Sequence, residues 1–215
     1  MTQPTTRFSP AQFVRAPLRL VRTHLRAHLA LSGLMYGALL LGMAAAIAFP
    51  SLNADRVAGM DGDGTTDLVV SLLRNPWLFA LTILAVNVLT VALPTILLPS
   101  LVVPFSGVAV GVYHAVGFGL TLAPVNGTAA AVLIPHSLTI LIEIQAYVLV
   151  MLGAYLLGRA WLRPAAVGAP DRRRGYLLGL RQVGLLALPA MVLFVVGAVY
   201  EALSLRYIVP VLAGG

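Results

Sequence analysis

Apolar residues fall into long runs along this chain, and short polar or charged segments separate the runs. They cover about residues 29–50, 76–98, 105–123, 136–161 and 182–200. A helix needs about 20 residues to cross a hydrocarbon core of roughly 30 Å, and runs of this length meet that need. The pattern predicts an all-α protein, a polytopic membrane helical bundle with about five transmembrane helices.

The N-terminal segment has a different pattern. We predict that residues 1–28 form a cytoplasmic basic amphipathic segment and that residues 29–215 form the membrane domain. Arginines and apolar residues recur there at helical spacing on two faces, which is typical of a helix lying in the headgroup region of a bilayer. The arginines are Arg15, Arg19, Arg22 and Arg26, and the apolar residues are Val14, Leu18, Val21 and Leu25.

The segments between the runs carry their own signals. Pro94, Pro99 and Pro104 predict a proline-broken, irregular end to the second span, because proline lacks the N–H that a helix interior uses. Residues 51–74 hold four aspartates and are predicted to be a solvated loop. Residues 159–181 hold six arginines and are predicted to be a basic loop.

Composition supports the membrane class. The chain is 60% hydrophobic and 10% charged, whereas soluble domains are about 45–50% apolar and about 25% charged. The charge of +7 comes from arginines that flank the spans, so we expect no nucleic acid partner. The predicted inside segments hold eleven arginines and the outside ones three, which places the N-terminus in the cytoplasm.

Few ionisable groups lie at membrane depth, namely His114, His136 and Glu143, with Glu201 near the outer edge. A charged side chain there costs about 2.5–3.5 kcal/mol on insertion scales and by default indicates function. His136 and Glu143 are seven residues apart, so they share a helix face at an axial separation of roughly 10 Å. They cannot hydrogen-bond directly in a regular helix.

Other polar residues are candidates to fill that gap or to line a cavity around it. Thr139 lies between the pair near the same face, and Tyr147 continues that face. Asn87, Tyr113 and His114 are candidate bridges from neighbouring helices.

Three interpretations of this polar face stay open. It is a seam that fixes the helix arrangement, a cavity for a peptide or small polar substrate, or a site of acid–base catalysis by His136 and Glu143. We expect no metal, because cysteine is absent and the spacing matches no HExxH pattern. We expect no cofactor.

One segment carries a family resemblance. The stretch "PHS…IEIQAYVLVMLGAYLLGRA" resembles the stage II sporulation protein M family of integral membrane proteins, through Pro135, His136, Glu143, Ala146 and Gly158. Upstream, Asn75 in "RNPWLF" and Gly107 and Gly111 in "FSGVAVG" also match. In that family the glutamate usually follows the histidine by four residues, whereas here it follows by seven.

The resemblance implies a multi-pass protein of the bacterial cell membrane that works with partners. Family members act in the engulfment machinery of sporulating bacteria, or are encoded beside ribosomally made peptides such as circular bacteriocins. We therefore expect a membrane-embedded subunit of a complex that matures or exports such a peptide, with a second membrane subunit as partner. The alternatives are a cofactor-independent acid/base enzyme, such as an epimerase, and a scaffold for cell-wall remodelling enzymes.

Overall fold

A computed structural model describes residues 10–213, and helices account for nearly all of them. No strand occurs in this part of the chain. The helices are α1 Pro10–Thr23, α2 Leu25–Ala48, α3 Pro50–Gly62, α4 Thr65–Leu72, α5 Pro76–Ala85, α6 Leu98–Val102, α7 Ser106–Leu122, α8 Gly127–Leu162, α9 Arg172–Leu203 and α10 Val209–Ala213, with π-helical segments at Val86–Leu97 and Ser204–Ile208 and a 3₁₀ turn at Pro164–Val167.

The predicted membrane class is confirmed. Four continuous helical stretches are long and apolar enough to cross a membrane: Leu25–Ala48, Pro76–Val102, Ala129–Leu162 and Arg172–Val211. A fifth, α7, is apolar but has 17 residues, which at 1.5 Å per residue is about 25 Å. The protein is an all-α, multi-pass helical bundle.

These five stretches alternate in direction. Tyr36 of α2 contacts Leu141 of α8, while the more N-terminal Ser32 contacts Gln145, so α2 and α8 are antiparallel. The order of contacting residue pairs shows in the same way that α7 and α9 are antiparallel to α8. It also shows that the Pro76–Val102 stretch is parallel to α8. The arginines of α1 therefore lie at the same end of the bundle as the loop between α8 and α9.

The prediction of a loop at residues 51–74 was wrong, because this region forms α3 and α4. Pro50 occupies the first turn of α3, where its missing N–H has no helical partner to lose. Asn53 donates hydrogen bonds of 2.7 and 3.2 Å to the carbonyls of Leu120 and Thr121 at the end of α7. This anchor holds α3 against the bundle, although its other face carries the aspartates.

The irregularity predicted for the second span takes an unexpected form. The helix does not break at Pro94 but changes to a π-helical register over Val86–Leu97 and ends at Val102. Thr90 and Thr95 donate to the carbonyls of Val86 and Val91 and so satisfy backbone oxygens in this stretch. A proline is tolerated in a membrane helix when such groups replace the lost hydrogen bonds.

The fourth span begins earlier than predicted. Asn126 accepts a hydrogen bond of 2.8 Å from the N–H of Ala129 and caps a single helix that runs to Leu162. Pro135 therefore lies inside α8, and the Tyr200 hydroxyl donates to its carbonyl at 3.2 Å.

The predicted basic loop is also shorter than expected. Asp171 accepts a hydrogen bond from the N–H of Arg174 and caps α9. The helix therefore begins at Arg172 rather than at the predicted residue 182, and it includes Arg172, Arg173, Arg174 and Arg181. Pro189 lies inside α9 and does not end the helix, as is also the case for Pro135 in α8.

Close helix packing depends on small residues in α7. Gly107, Gly111, Ala115 and Gly119 are four residues apart, and all are buried. Gly119 lies against Gly42 of α2, while Gly111 lies against Met151 of α8. Small side chains let membrane helices approach closely. The spacing of Gly107 and Gly111 agrees with this use of α7.

Candidate functional site

Five polar side chains meet where the π-helical segment, α8 and α9 come together. We call Asn87, His136, Glu143, Tyr147 and Glu201 the polar cluster. All five line one cavity of about 350 Å³, which we call the central cavity. The rest of its wall is largely apolar.

Glu143 is held by a relay of hydrogen bonds. Asn87 donates from Nδ2 to Oε1 of Glu143 at 2.7 Å, and its own Oδ1 accepts the Tyr147 hydroxyl at 2.9 Å. Tyr147 is 2% exposed and packs edge-to-face on Phe194, with ring centroids 4.9 Å apart. The carboxyl of Glu143 therefore has a fixed position on the cavity wall.

Gly197 provides the space that Glu143 occupies. A β-carbon at position 197 would lie 2.8 Å from Cγ of Glu143, closer than real contacts allow. Gly197 and Glu201 are one turn apart on α9, so the same face that leaves room for one carboxyl carries the other.

His136 faces Glu201 rather than Glu143. Nε2 of His136 lies 3.8 Å from Oε1 of Glu201, which is an ion-pair distance but too long for a hydrogen bond. Glu201 accepts no hydrogen bond from the residues that the structure describes. Its carboxyl therefore keeps the capacity to accept hydrogen bonds from a molecule in the cavity.

A second cavity reaches His136 from the end of the bundle at which α3 packs. This cavity has about 310 Å³ and is lined by α3, the turn before α8 and the first turns of α8, including Asn53 and Asn126. His136 lines both cavities. Its imidazole therefore stands at the boundary between them.

The other predicted cavity residues lie elsewhere. Tyr113 is 72% exposed on the outside of α7. His114 pairs with the hydroxyl of Thr95 at 3.0 Å and joins α7 to the π-helical segment. Thr139 is fully buried, and its hydroxyl has no hydrogen-bond partner among the described residues. None of the three lines the central cavity.

Glu201 belongs to the site, although the sequence did not single it out as a site residue. It was placed at the outer edge of the last span, yet α9 continues through Ser204–Ile208 into α10, so Glu201 lies within a long helix. The glycine four residues earlier was the available signal, because it indicates a close approach on the face that Glu201 shares.

A separate polar contact joins α2 to α8. Gln145 donates to the Tyr36 hydroxyl at 3.1 Å and to Ser32 at 3.4 Å, and Tyr36 donates to the carbonyl of Leu141. These groups bond to one another across the α2–α8 contact and do not line the central cavity. They show what a structural polar seam looks like in this protein.

The fold and the polar cluster define a multi-pass α-helical membrane protein with an apolar cavity that carries two carboxyls and an imidazole. No family model matches the chain, and neither a curated protein nor a solved structure matches it. Among the described residues, no three histidine or acidic side chains are grouped as a metal site would require.

Proposed function

We propose that the chain is a membrane-embedded subunit of a complex that matures or exports a ribosomally made peptide, and that the central cavity receives a segment of this peptide. The observation that carries the proposal is the cavity of about 350 Å³ with His136, Glu143 and Glu201 on its wall. Ligand pockets typically have about 300–1,000 Å³, apolar walls and a few convergent polar groups.

The chemistry of the wall suits a peptide. Carboxyl oxygens accept hydrogen bonds from backbone N–H groups, and the apolar wall accommodates aliphatic side chains. Tyr36 and Gln145 bond to each other away from the central cavity, whereas Glu201 lies on the cavity wall and offers an acceptor that no described residue uses. This contrast favours a binding cavity over a purely structural role for the polar cluster.

The resemblance to the stage II sporulation protein M family supports the biological setting of the proposal. It suggests a bacterial cell membrane, an N-terminus in the cytoplasm and a second membrane subunit as partner. The arginine-rich end formed by α1 and the α8–α9 loop would then face the cytoplasm, as the charge bias of membrane proteins predicts.

Photo-crosslinking tests the proposal. A crosslinking amino acid at Ile83 would face the central cavity, and one at Leu81, two residues earlier and 60% exposed, serves as the matched control on the same helix. In cells of the natural source, we expect mass analysis to find a peptide attached at position 83 and not at 81. Lipid adducts alone at position 83, or the same peptide at both positions, would contradict peptide binding in the cavity.

A second candidate is acid–base catalysis on the bound peptide, and the presence of two carboxyls and an imidazole on the wall of one cavity favours it. A base would take the Cα proton of one residue and an acid would return a proton to the opposite face, which inverts the centre without changing composition. His136, Glu143 and Glu201 are the groups able to exchange protons with a substrate here.

Glu143→Gln separates binding from catalysis. The new side chain keeps an oxygen that can accept the Asn87 hydrogen bond, so we expect the fold and the crosslink at position 83 to persist. If the protein catalyses epimerisation, the peptide made by the wild type in D₂O gains one deuterium per inverted centre, and the variant loses this gain. A peptide that gains deuterium equally with both proteins would exclude Glu143 as the acid or base.

A further inference from the structure

The inner end of the bundle, where α1 and the α8–α9 loop lie, has a groove of a different character. It lies between α1 and α9, has about 760 Å³, and is open to the surroundings. Arg15, Arg19 and Arg181 line it together with Gln182. Its other lining residues include Leu20, Val167, Leu178 and Leu185, so cationic and apolar side chains meet in one groove.

These three arginines have no acidic partner in the part of the chain that the structure describes. The ion pair between His136 and Glu201 is at the other end of the bundle. The only aspartate at the inner end, Asp171, accepts the backbone N–H of Arg174 as the cap of α9. The positive charge of the groove is therefore available to an anion from outside the chain.

The amide of Gln182 adds a second requirement. Its Oε1 is buried and accepts no hydrogen bond from the described residues. Because this atom has almost no accessible surface, the Gln182 side chain must turn towards the groove to gain a donor from an occupant. An occupant with a hydroxyl beside its negative charge would then satisfy it, whereas a bare anion would not.

The position along α9 favours a lipid as the source of the anion. The groove residues of α9 include Arg181, the last arginine before the apolar stretch, and α1 lies beside them. An arginine followed by an apolar stretch is expected at the depth of the lipid headgroups, and Leu178 and Leu185 lie about one turn on either side of Arg181. A soluble polyanion has no apolar part that could pack against these leucines. A lipid does, because its acyl chains can contact them.

We propose that the α1–α9 groove is a binding site for an anionic phospholipid, with its phosphate between Arg15, Arg19 and Arg181 and its acyl chains against the leucines. Phosphatidylglycerol fits this description, since its glycerol hydroxyls can donate to Gln182 once that side chain turns towards the groove. Such a lipid would join α1 to the membrane domain without any direct ion pair between the two.

The test compares two triple variants with the same change in charge. Arg15, Arg19 and Arg181 are changed to glutamine in one, and Arg172, Arg173 and Arg174, which are exposed at the same end outside the groove, are changed in the other. Retention of phosphatidylglycerol and of phosphatidylcholine by the purified protein is measured by native mass spectrometry, and thermal unfolding is followed as each lipid is added.

We expect the wild type to prefer phosphatidylglycerol and to unfold at a higher temperature in its presence. A cationic side chain near an anionic lipid surface contributes about 1 kcal/mol, or about fivefold in affinity. The groove variant should therefore lose about a hundredfold in affinity for phosphatidylglycerol. The control variant should lose less than about fivefold, because its three arginines lie outside the groove and do not contact the bound lipid.

Three results would overturn the proposal: equal losses in the two triple variants, equal retention of the two lipids by the wild type, or equal stabilisation by inorganic phosphate alone. The last would indicate a phosphate site rather than a lipid site. If the groove triple does not fold, Arg19→Gln and Arg181→Gln are measured singly. Each should lose about fivefold in affinity, and no loss in either would equally reject the site.

Discussion

Asn87 of the π-helical segment donates a hydrogen bond of 2.7 Å to Glu143 of α8. Asn87 lies one residue after the helix changes from α to π register, at Val86. The wider register is common at functional sites, where it redirects a side chain. Here it coincides with the place at which an amide is needed to hold a carboxyl at membrane depth.

Removing this amide should loosen the polar cluster. Asn87→Ala deletes the donor to Glu143 and the acceptor of Tyr147, and hydrogen bonds between membrane helices contribute about 0.6 kcal/mol on average and up to about 1.7. We expect a loss of about 1–2 kcal/mol in detergent, measured by thermal unfolding. Leu89→Ala, at a 63% exposed position two residues on, is the control and should change stability by less than about 0.5 kcal/mol. Equal losses of stability in Asn87→Ala and Leu89→Ala would show that the hydrogen bonds of Asn87 do not stabilise the fold.

Gly197 should be intolerant of any side chain. In Gly197→Ala the new methyl group meets Cγ of Glu143 at 2.8 Å, and Asn87 restricts how far that carboxyl can move. We expect destabilisation of about 1–3 kcal/mol, as for other overpacked sites.

Gly184→Ala is the matched control for Gly197→Ala, since nothing lies within 4 Å of the added carbon on the same helix. It should be neutral or stabilising by up to about 1 kcal/mol through helix propensity. Shortening Glu143 to alanine should relieve the cost of Gly197→Ala by about 0.5–3 kcal/mol in a double-mutant cycle. Purely additive effects would mean that the two residues do not touch.

The apolar spans could be predicted from the sequence because hydrophobic length alone determines them, but their ends could not. Pro135 was interpreted as a boundary, yet it lies within α8, since Tyr200 of another helix satisfies its carbonyl. The same holds for residues 51–74, where Asn53 anchors a helix through carbonyls 67 and 68 residues away. Contacts between distant segments decide these cases, and a local pattern does not contain them.

The site also combines features that the local sequence predicts with features that depend on contacts between distant segments. The shared face of His136 and Glu143 follows from helix geometry, and so does the conclusion that they do not bond directly. Asn87, Tyr113 and His114 were the candidate bridges between His136 and Glu143. Of these, Asn87 contacts Glu143 but not His136, and the sequence could not show which contact it makes. The pairing of His136 with Glu201 depends on how α8 and α9 are packed in register, which the spacing within one helix does not reveal.

The contact between α2 and α7 gives a test of close helix packing. A β-carbon at Gly42 would overlap the carbonyl oxygen of Val116, and this backbone atom cannot rotate away. We expect Gly42→Ala to cost about 1–3 kcal/mol or more in thermal unfolding. Gly37→Ala, on the same helix with nothing within 4 Å, is the control and should not be destabilising. If both variants are as stable as the wild type, α2 and α7 are less closely packed than the contact between Gly42 and Val116 implies.

The number of membrane crossings can be tested directly, because the chain has no cysteine. Five alternating crossings place α3 and the loop between α8 and α9 on opposite sides of the membrane. We expect Ala58→Cys to react with a membrane-impermeant maleimide in intact cells and Ala166→Cys to react only after permeabilisation, since both positions are exposed and the arginine-rich end should face the cytoplasm. Reaction of both from the same side would mean that α7, with its 17 residues, does not cross, and reaction with the sides exchanged would mean that the bundle has the opposite orientation.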